Sequence, residues 1–293
     1  MGMRTHIDGF LAGHAVTSGA RLYNGRLEAM DGQTATLSTG ETLNFRYLVG
    51  TDGAYSAVSR LTGLKPKFRT FLASEWECDV ATPAMWETWE RTSLIDISLL
   101  PPGYGWIFTK AYPHLSIGWG LPFWAGSHLK AFTGRLFDQN GISGTIRRTA
   151  HWIPFYKSGP VAEGSTLLIG DAAGVCNPIN GGGIGWAMHS AHIAFHAILT
   201  DFQNPGALAE TYTTNLHRTI FQQYRYARAM WNFTLLKIAT RPKSITGNRE
   251  LWSEFIDDLQ GNLSYERWAE VHPAARAIGN ALNPMVNTLL VRS

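Results

Sequence analysis

The chain is poor in cysteine, in charge and in long apolar runs, and each shortage excludes something. Its 293 residues hold two cysteines, Cys78 and Cys176, which belong to no CxxC or Cys/His cluster. That excludes a disulfide framework and a cysteine-based zinc site, and it fits a reducing, cytoplasmic setting. Charged residues make up 16% and the formal net charge is +3, so the electrostatic footprint of a nucleic-acid binder is missing. No stretch reaches the ~18 apolar residues that a spanning helix needs. Met1–His6 opens no apolar leader. His192 and His196 stand at i,i+4 without an HExxH pattern or a third ligand, so no metal is expected.

Aromatic residues are abundant: 11 Trp, 14 Phe and 10 Tyr. They line cores, and they also line pockets for flat or greasy ligands. Helical spacing over residues 4–18 places Ile7, Phe10, Leu11 and Ala15 together, and Asn24-Gly25 reads as a hairpin turn. A strand is expected at Thr34–Leu37 and another at Thr42–Val49, followed by a helix capped by Ser56. Residues 68–122 read as antiparallel strands, 127–139 as a connecting helix and 144–155 as a returning strand. Leu167–Ile169 is a short apolar strand, Ile184–Thr200 a helix, and helical pattern resumes at Pro205. The order implies an α/β (α+β) fold, with a nucleotide-binding lobe interrupted by a β sheet. The expected division is 1–66 with 160–204, then 67–159, then a helical region over 205–293.

Two turns carry the chemistry. Asp52-Gly53 leaves one apolar strand and Gly170-Asp171 leaves another, the second running into Asn177-Pro178 and the triple glycine Gly181–Gly183. Glycine admits close backbone approach and positive φ, while the amides of a helix start favour an electron-rich ligand. An ionised Asp171 can accept from a ribityl hydroxyl, and Pro178 offers a flat surface without a donor. A helix starting at Gly182-Gly183 would aim its positive end at the pyrimidine edge of a flavin. Asp52-Gly53 taken alone reads rather as an ordinary turn capping a short helix. Tyr104, Trp106 and Phe108 share one face of a strand, as a ligand wall or as core packing.

Together these residues resemble the Asp-Gly and Gly-Asp motifs of FAD-dependent oxidoreductases of the aromatic-hydroxylase fold. Pro101-Pro102-Gly103-Tyr104-Gly105-Trp106-Ile107-Phe108 resembles the PxxYxWxFP stretch of the geranylgeranyl reductase family, with Thr109 where the family has its last proline. Arg4–Leu11 is similar to the family's RxxFDxxL helix, with Ile7 replacing the Phe, and Gly181–Ile184 is similar to GEGI, with Gly182 replacing the acid. The likeness covers about residues 1–200.

It implies FAD as cofactor and saturation of isoprenoid C=C bonds, with NAD(P)H or a ferredoxin-type protein as electron donor. It places Arg4, Asp52, Gly53, Gly170, Asp171, Pro178, Gly182 and Gly183 at the flavin and Tyr104, Trp106 and Phe108 at the substrate. No proton donor is identified.

A dinucleotide site of this kind also needs a first strand, a GxGxxG turn and an acid ~20 residues on. None precedes Arg4, so the expected lobe is incomplete and lacks an N-terminal βαβ unit. Two other readings stay open: a flavin monooxygenase of the same fold, and a non-catalytic remnant or one half of a two-chain enzyme. The apolar segment 226–239, with Arg225, Arg228, Lys237, Arg241 and Lys243 around it, is a candidate either for peripheral contact with an anionic membrane or for a buried helix.

Overall fold

A computed structural model of the chain describes residues 4–80, 82–96, 103–122, 129–140, 142, 147–240, 249–259 and 264–282. The chain forms two compact units, residues 1–26 with 71–152 and residues 27–70 with 153–293. The sequence places the breaks near 67 and 159 and sets the C-terminal helices apart; in the structure those helices cluster with the second unit.

The first unit is built on a five-stranded sheet. Its strands are β5 (Lys67–Asp79), β6 (Leu94–Asp96), β7 (Tyr104–Thr109), β8 (His114–Pro122) and β9 (Arg147–Ser158), in the order β6-β7-β8-β5-β9. Alternation gives each strand a core face. Trp76, Cys78, Ile107, Leu115, Ile117 and Trp119 are buried on it. Helix α4 (Leu129–Gln139) covers this face with Leu136, Phe132 and Phe137, and Gly105 leaves room for the Leu136 methyls. A helix unexpected from sequence, α3 (Pro83–Trp89), adds Trp86 and Trp89. Helix α1 (Arg4–Thr17) forms where its spacing predicted, but it has no buried residue.

The second unit contains two small sheets. One is an antiparallel meander of β1 (Leu27–Asp31), β2 (Thr34–Leu37) and β3 (Thr42–Asn44). Its hairpin turns at Gly32-Gln33, not at Asn24-Gly25, because Gly32 takes the left-handed φ of 55° and the strands pair from Asp31↔Thr34. The other sheet places β4 (Leu48–Gly50) parallel to β11 (Thr166–Leu168), with β10 (Ala162–Glu163) antiparallel on the far side. The single strand expected over Thr42–Val49 is thus two strands in two sheets, broken where the Phe45 amide bonds the Gln33 carbonyl.

Helix α2 (Ala57–Thr62) follows β4. Ser56 Oγ accepts from the Ser59 amide at 2.9 Å, and Gly63 closes the helix at φ 79°. Leu167 and Leu168 are fully buried beneath α5 (Ile184–Thr200) and α6 (Pro205–Leu216), with Ile193, Ala194, Ala197, Leu208 and Tyr212. A π turn at His217–Phe221 leads into α7 (Gln222–Thr240).

A second core joins α7 to α9 (Tyr265–Val271) and α10 (Pro273–Ala281), and α8 (Arg249–Leu259) precedes them. Gly279 lets α10 meet the α7 backbone, since a Cβ there would lie 2.0 Å from the Ala229 carbonyl oxygen. Ala227, Ala229, Met230 and Asn232 are buried, so the 227–232 stretch of the apolar segment packs inside this unit. Arg241 and Lys243 lie outside the described residues. No helix among the described residues is long and apolar enough to cross a membrane.

Candidate flavin site

The parallel pairing of β4 with β11 aligns Leu48 with Thr166 and Gly50 with Leu168, and the Ile169 amide donates to the Gly50 carbonyl at 2.9 Å. Asp52-Gly53 and Gly170-Asp171 therefore leave adjacent strands at the same carboxyl edge. Ligands of open α/β sheets bind at such edges. Gly50 allows the close packing, because a Cβ there would meet Leu168 Cδ2 at 2.7 Å.

After β11 the chain makes a 3-10 turn, Gly170–Ala173, with Gly170 at φ 57° and Gly174 at φ 72°. These values are left-handed and favour glycine. The Gly170 amide donates to Ser190 Oγ at 3.0 Å, tying the turn to α5. The Tyr212 hydroxyl donates to the Leu168 carbonyl at 2.6 Å, and the Tyr224 hydroxyl reaches the carbonyls of Gly174 and Cys176. Burial keeps both phenols well above the usual tyrosine range, so they remain donors.

Asp171 is half-buried. Its Oδ1 accepts from Cys176 Sγ at 3.1 Å, and its Oδ2 has no hydrogen-bond partner among the described residues. A Cβ on Gly183 would sit 3.3 Å from Asp171 Oδ1, so the carboxylate faces the glycine loop. Cys176 is buried, and burial followed by the Asp171 charge pushes its thiol far up. It is an inert buried thiol.

The loop itself is ordered by asparagines. Asn177 Oδ1 accepts from the Ile179 and Asn180 amides at 2.8 and 3.1 Å, and Asn180 Oδ1 accepts from the Gly182 amide at 2.7 Å. Asn177 and Ile179 are buried while Pro178 between them is half-exposed, so the proline is presented outward from two anchors. Gly182 is exposed and Gly183 half-buried, directly ahead of α5.

Asp52 holds the alternative geometry anticipated for it. Its Oδ2 accepts from the Ala57 and Val58 amides at 2.6 and 3.1 Å and its Oδ1 from Ser56 Oγ at 2.6 Å, capping α2. Gly53, at φ 81°, lets the chain turn into that cap.

Arg4 lies in the first unit, on α1, where its guanidinium pairs with exposed Asp8 at 3.1 Å. Tyr104, Trp106 and Phe108 also lie in that unit, on the sheet face opposite the core. Trp106 stacks on Phe108 at 6.1 Å and tilts against Tyr104 at 5.8 Å. Gly118, across the strand pair from Trp106, cannot carry a Cβ, which would fall 2.3 Å from the indole. Pro101 and Pro102 of the same motif lie outside the described residues.

Sequence reasoning missed what surrounds this aromatic strip. Trp106 Nε1 donates to Ser116 Oγ at 3.2 Å, which donates to Glu75 Oε1 at 2.5 Å. The nearly buried Lys110 Nζ bonds Glu75 at 3.2 Å and Glu77 at 2.8 Å. Burial pulls the Lys110 ammonium down, but the two carboxylates outweigh it and hold it above the ordinary lysine value. Its hydrogen bond keeps Glu77 below the usual carboxylate range. Also missed was Asp258, buried on α8 beside Asn177, Asn180 and Tyr265. His192 and His196 stand with ring centroids 4.4 Å apart on α5, and no group of three ligating side chains occurs among the described residues.

No described family profile matches the chain. It is 26% identical over 280 residues to a menaquinone reductase of Mycolicibacterium smegmatis, covering 81% of this chain and 67% of that protein. It is 26% identical over 222 residues to a chloroplastic geranylgeranyl diphosphate reductase of Arabidopsis thaliana, covering 69% and 47% respectively. A third relative, a digeranylgeranylglycerophospholipid reductase of Methanoculleus marisnigri, is 35% identical over 102 residues, 33% of this chain and 25% of that one. The chain thus spans from a quarter to two thirds of these relatives.

Among solved structures, a geranylgeranyl bacteriochlorophyll reductase-like protein of Thermoplasma acidophilum superposes with a TM-score of 0.67 at 18% identity, over 93% of this chain and 75% of that one. A flavin-dependent brominase also reaches 0.67 at 18% identity, over 97% and 76%. At such identity the structures speak for the fold. In sequence the chain is similar to menaquinone and geranylgeranyl reductases, and it shares its fold with a geranylgeranyl bacteriochlorophyll reductase-like protein and a flavin-dependent brominase.

Proposed function

We propose that the chain carries the flavin and substrate surfaces of an FAD-dependent reductase that saturates C=C bonds of an isoprenoid lipid. The observation that carries this reading is the pair of Gly/Asp turns on adjacent parallel strands, the second opening a glycine loop onto a helix start. In this reading the free Asp171 oxygen takes a ribityl hydroxyl and Pro178 lies against one ring face. Gly182 and Gly183 let the start of α5 approach the pyrimidine edge, while Gly170 and Gly53 shape the two turns. Asp52 contributes through the α2 cap.

When bound and reduced, the flavin supplies hydride to the alkene, and a proton from water or a protein group completes the saturation. NAD(P)H or a ferredoxin-type protein supplies the electrons. Tyr104, Trp106 and Phe108 form the wall for the prenyl chain, supported by the stacking of Trp106 on Phe108.

The likeness to a flavin-dependent brominase favours a second reading, oxygen-consuming chemistry on the same fold. Anaerobic photoreduction of the FAD-loaded protein, followed by a geranylgeranyl lipid, separates the two. Reoxidation with a mass gain of two hydrogens per double bond supports the reductase. Indifference to the lipid, with fast reoxidation by oxygen and an oxygenated or halogenated product, refutes it.

A further inference from the structure

The geometry points to Asp258 as a positioning residue for the Asn177–Gly183 loop. The C-terminal helices then form a clamp that sets how Pro178 and the glycines are presented. In its ligand consequences the inference rests on the flavin reading above; in its structural core it stands alone.

Asp258 is 4% exposed and lies on α8, about eighty residues further along the chain than the loop. Its Oδ1 accepts from Asn177 Nδ2 at 3.1 Å and lies against the Tyr265 hydroxyl. Its Oδ2 accepts from Asn180 Nδ2 at 2.9 Å, and the Asp258 carbonyl oxygen accepts from the same Nδ2 at 3.2 Å. The two asparagines have no choice of orientation. Each must turn Oδ1 to loop amides (Ile179 and Asn180 for Asn177, Gly182 for Asn180), so each turns its NH2 to Asp258.

The carboxylate therefore meets donors on both oxygens, and one chain of bonds runs from α8 through Asn180 to the Gly182 amide. Burial pushes the Asp258 carboxyl up, and the bonds from Tyr265, Asn177 and Asn180 oppose that push. The apolar side repeats the linkage. Ile179 is buried among Ala227, Met230, Tyr265 and Trp268 of α7 and α9. Pro178 and Gly182 are thus held from behind by the helices, while the Asn177 amide bonds the Gly182 carbonyl at 2.8 Å and the Gly181 amide the Asn177 carbonyl at 2.9 Å within the loop.

A carboxylate is required here, not merely a polar group. In Asp258→Asn the new NH2 faces the Asn180 NH2, and rotating Asn180 to relieve this turns a donor against the Gly182 amide. Adding Asn180→Asp restores an acceptor for both the new NH2 at position 258 and the Gly182 amide, at the loss of the bond to the Asp258 carbonyl. The test is amide hydrogen exchange of residues 177–183 in the purified protein, beside its equilibrium affinity for FAD. Asp258→Asn and Tyr265→Phe should speed exchange at Gly181 and Gly182 by about tenfold or more, the size of one buried hydrogen bond.

The D258N/N180D pair should recover part of the protection at Gly182, and the neighbouring control Asp257→Asn should change nothing. FAD affinity should follow the same ranking. Unchanged exchange in Asp258→Asn, or no recovery in the pair, overturns the clamp whatever the flavin does. Protection that follows the ranking while FAD fails to bind the wild-type protein upholds the clamp and overturns the flavin reading instead. If Asp258→Asn does not fold, Tyr265→Phe and the pair decide the matter.

Discussion

Gly174 ends the turn that carries Asp171, and replacing it by alanine tests whether that turn is as constrained as its geometry implies. Two costs add. The residue sits at φ 72°, where a Cβ is opposed by the following carbonyl at roughly 1–2 kcal/mol. The Cβ would also lie 2.7 Å from the Phe68 ring and 2.8 Å from the Tyr156 backbone nitrogen. The Phe68 ring can swing, but Tyr156 cannot retreat freely, because its amide donates to the Gly174 carbonyl at 2.9 Å. Overpacking of this kind costs about 1–3 kcal/mol.

The sum is roughly 2–5 kcal/mol, a large share of the ~5–15 kcal/mol available to a folded domain. Gly164→Ala is the internal control. It has φ 54° but nothing within 4 Å of a Cβ, so only the backbone cost remains. Equilibrium urea unfolding of both variants measures the difference. A Gly174→Ala loss no greater than that of Gly164→Ala would refute the packing argument, and no loss in either would refute the left-handed turn.

Other perturbations have signs fixed by the same structure. Asp52→Ala removes the acceptor of two α2 amides, so stability should fall by about 1 kcal/mol in urea unfolding, as for a lost helix cap. In the first unit, Glu77 is depressed in the folded state. Its stabilisation is present above its ordinary value of 4.5 and is lost as pH falls through the folded value. Lys110 is raised, so its stabilisation is complete below 10.5 and is lost as pH climbs through the folded value. Thermal unfolding across pH should show both limbs, and Lys110→Met should flatten them. Trp106→Ala should raise the KM for a prenyl substrate by about tenfold, close to 1.4 kcal/mol, while leaving FAD affinity unchanged.

What was legible in the sequence was mostly local. A glycine that must take positive φ marks its own position, and Gly170, Gly174 and Gly181 do so around Asp171 and Pro178. The recurrence of the same motif at two strand ends points to related turns, and the two strands pair in parallel. Where two local signals competed, the reading failed. Asn24-Gly25 carries a hairpin turn signal, yet the strands that pair are joined at Gly32-Gln33.

Contacts between distant parts of the chain left no trace in the sequence. Lys110 meets Glu75 and Glu77 only because β8 lies between β7 and β5. Asp258 reads as one more acid on an amphipathic helix until the fold carries it under Asn177 and Asn180. Residues 226–233 of the apolar segment meet α9, α10 and the loop residue Ile179 in one core. No local pattern distinguishes that from a membrane-facing surface.

The measurement that bears most directly on the central claim is equilibrium titration of the purified chain with FAD, read by flavin absorbance and fluorescence quenching, for wild type and Asp171→Ala. The account predicts saturable uptake with a shifted flavin band in the wild type. It predicts affinity weaker by about tenfold or more once the carboxylate is gone, as for a lost charge-assisted hydrogen bond. A protein that stays colourless, or that binds FAD equally well without Asp171, would contradict it.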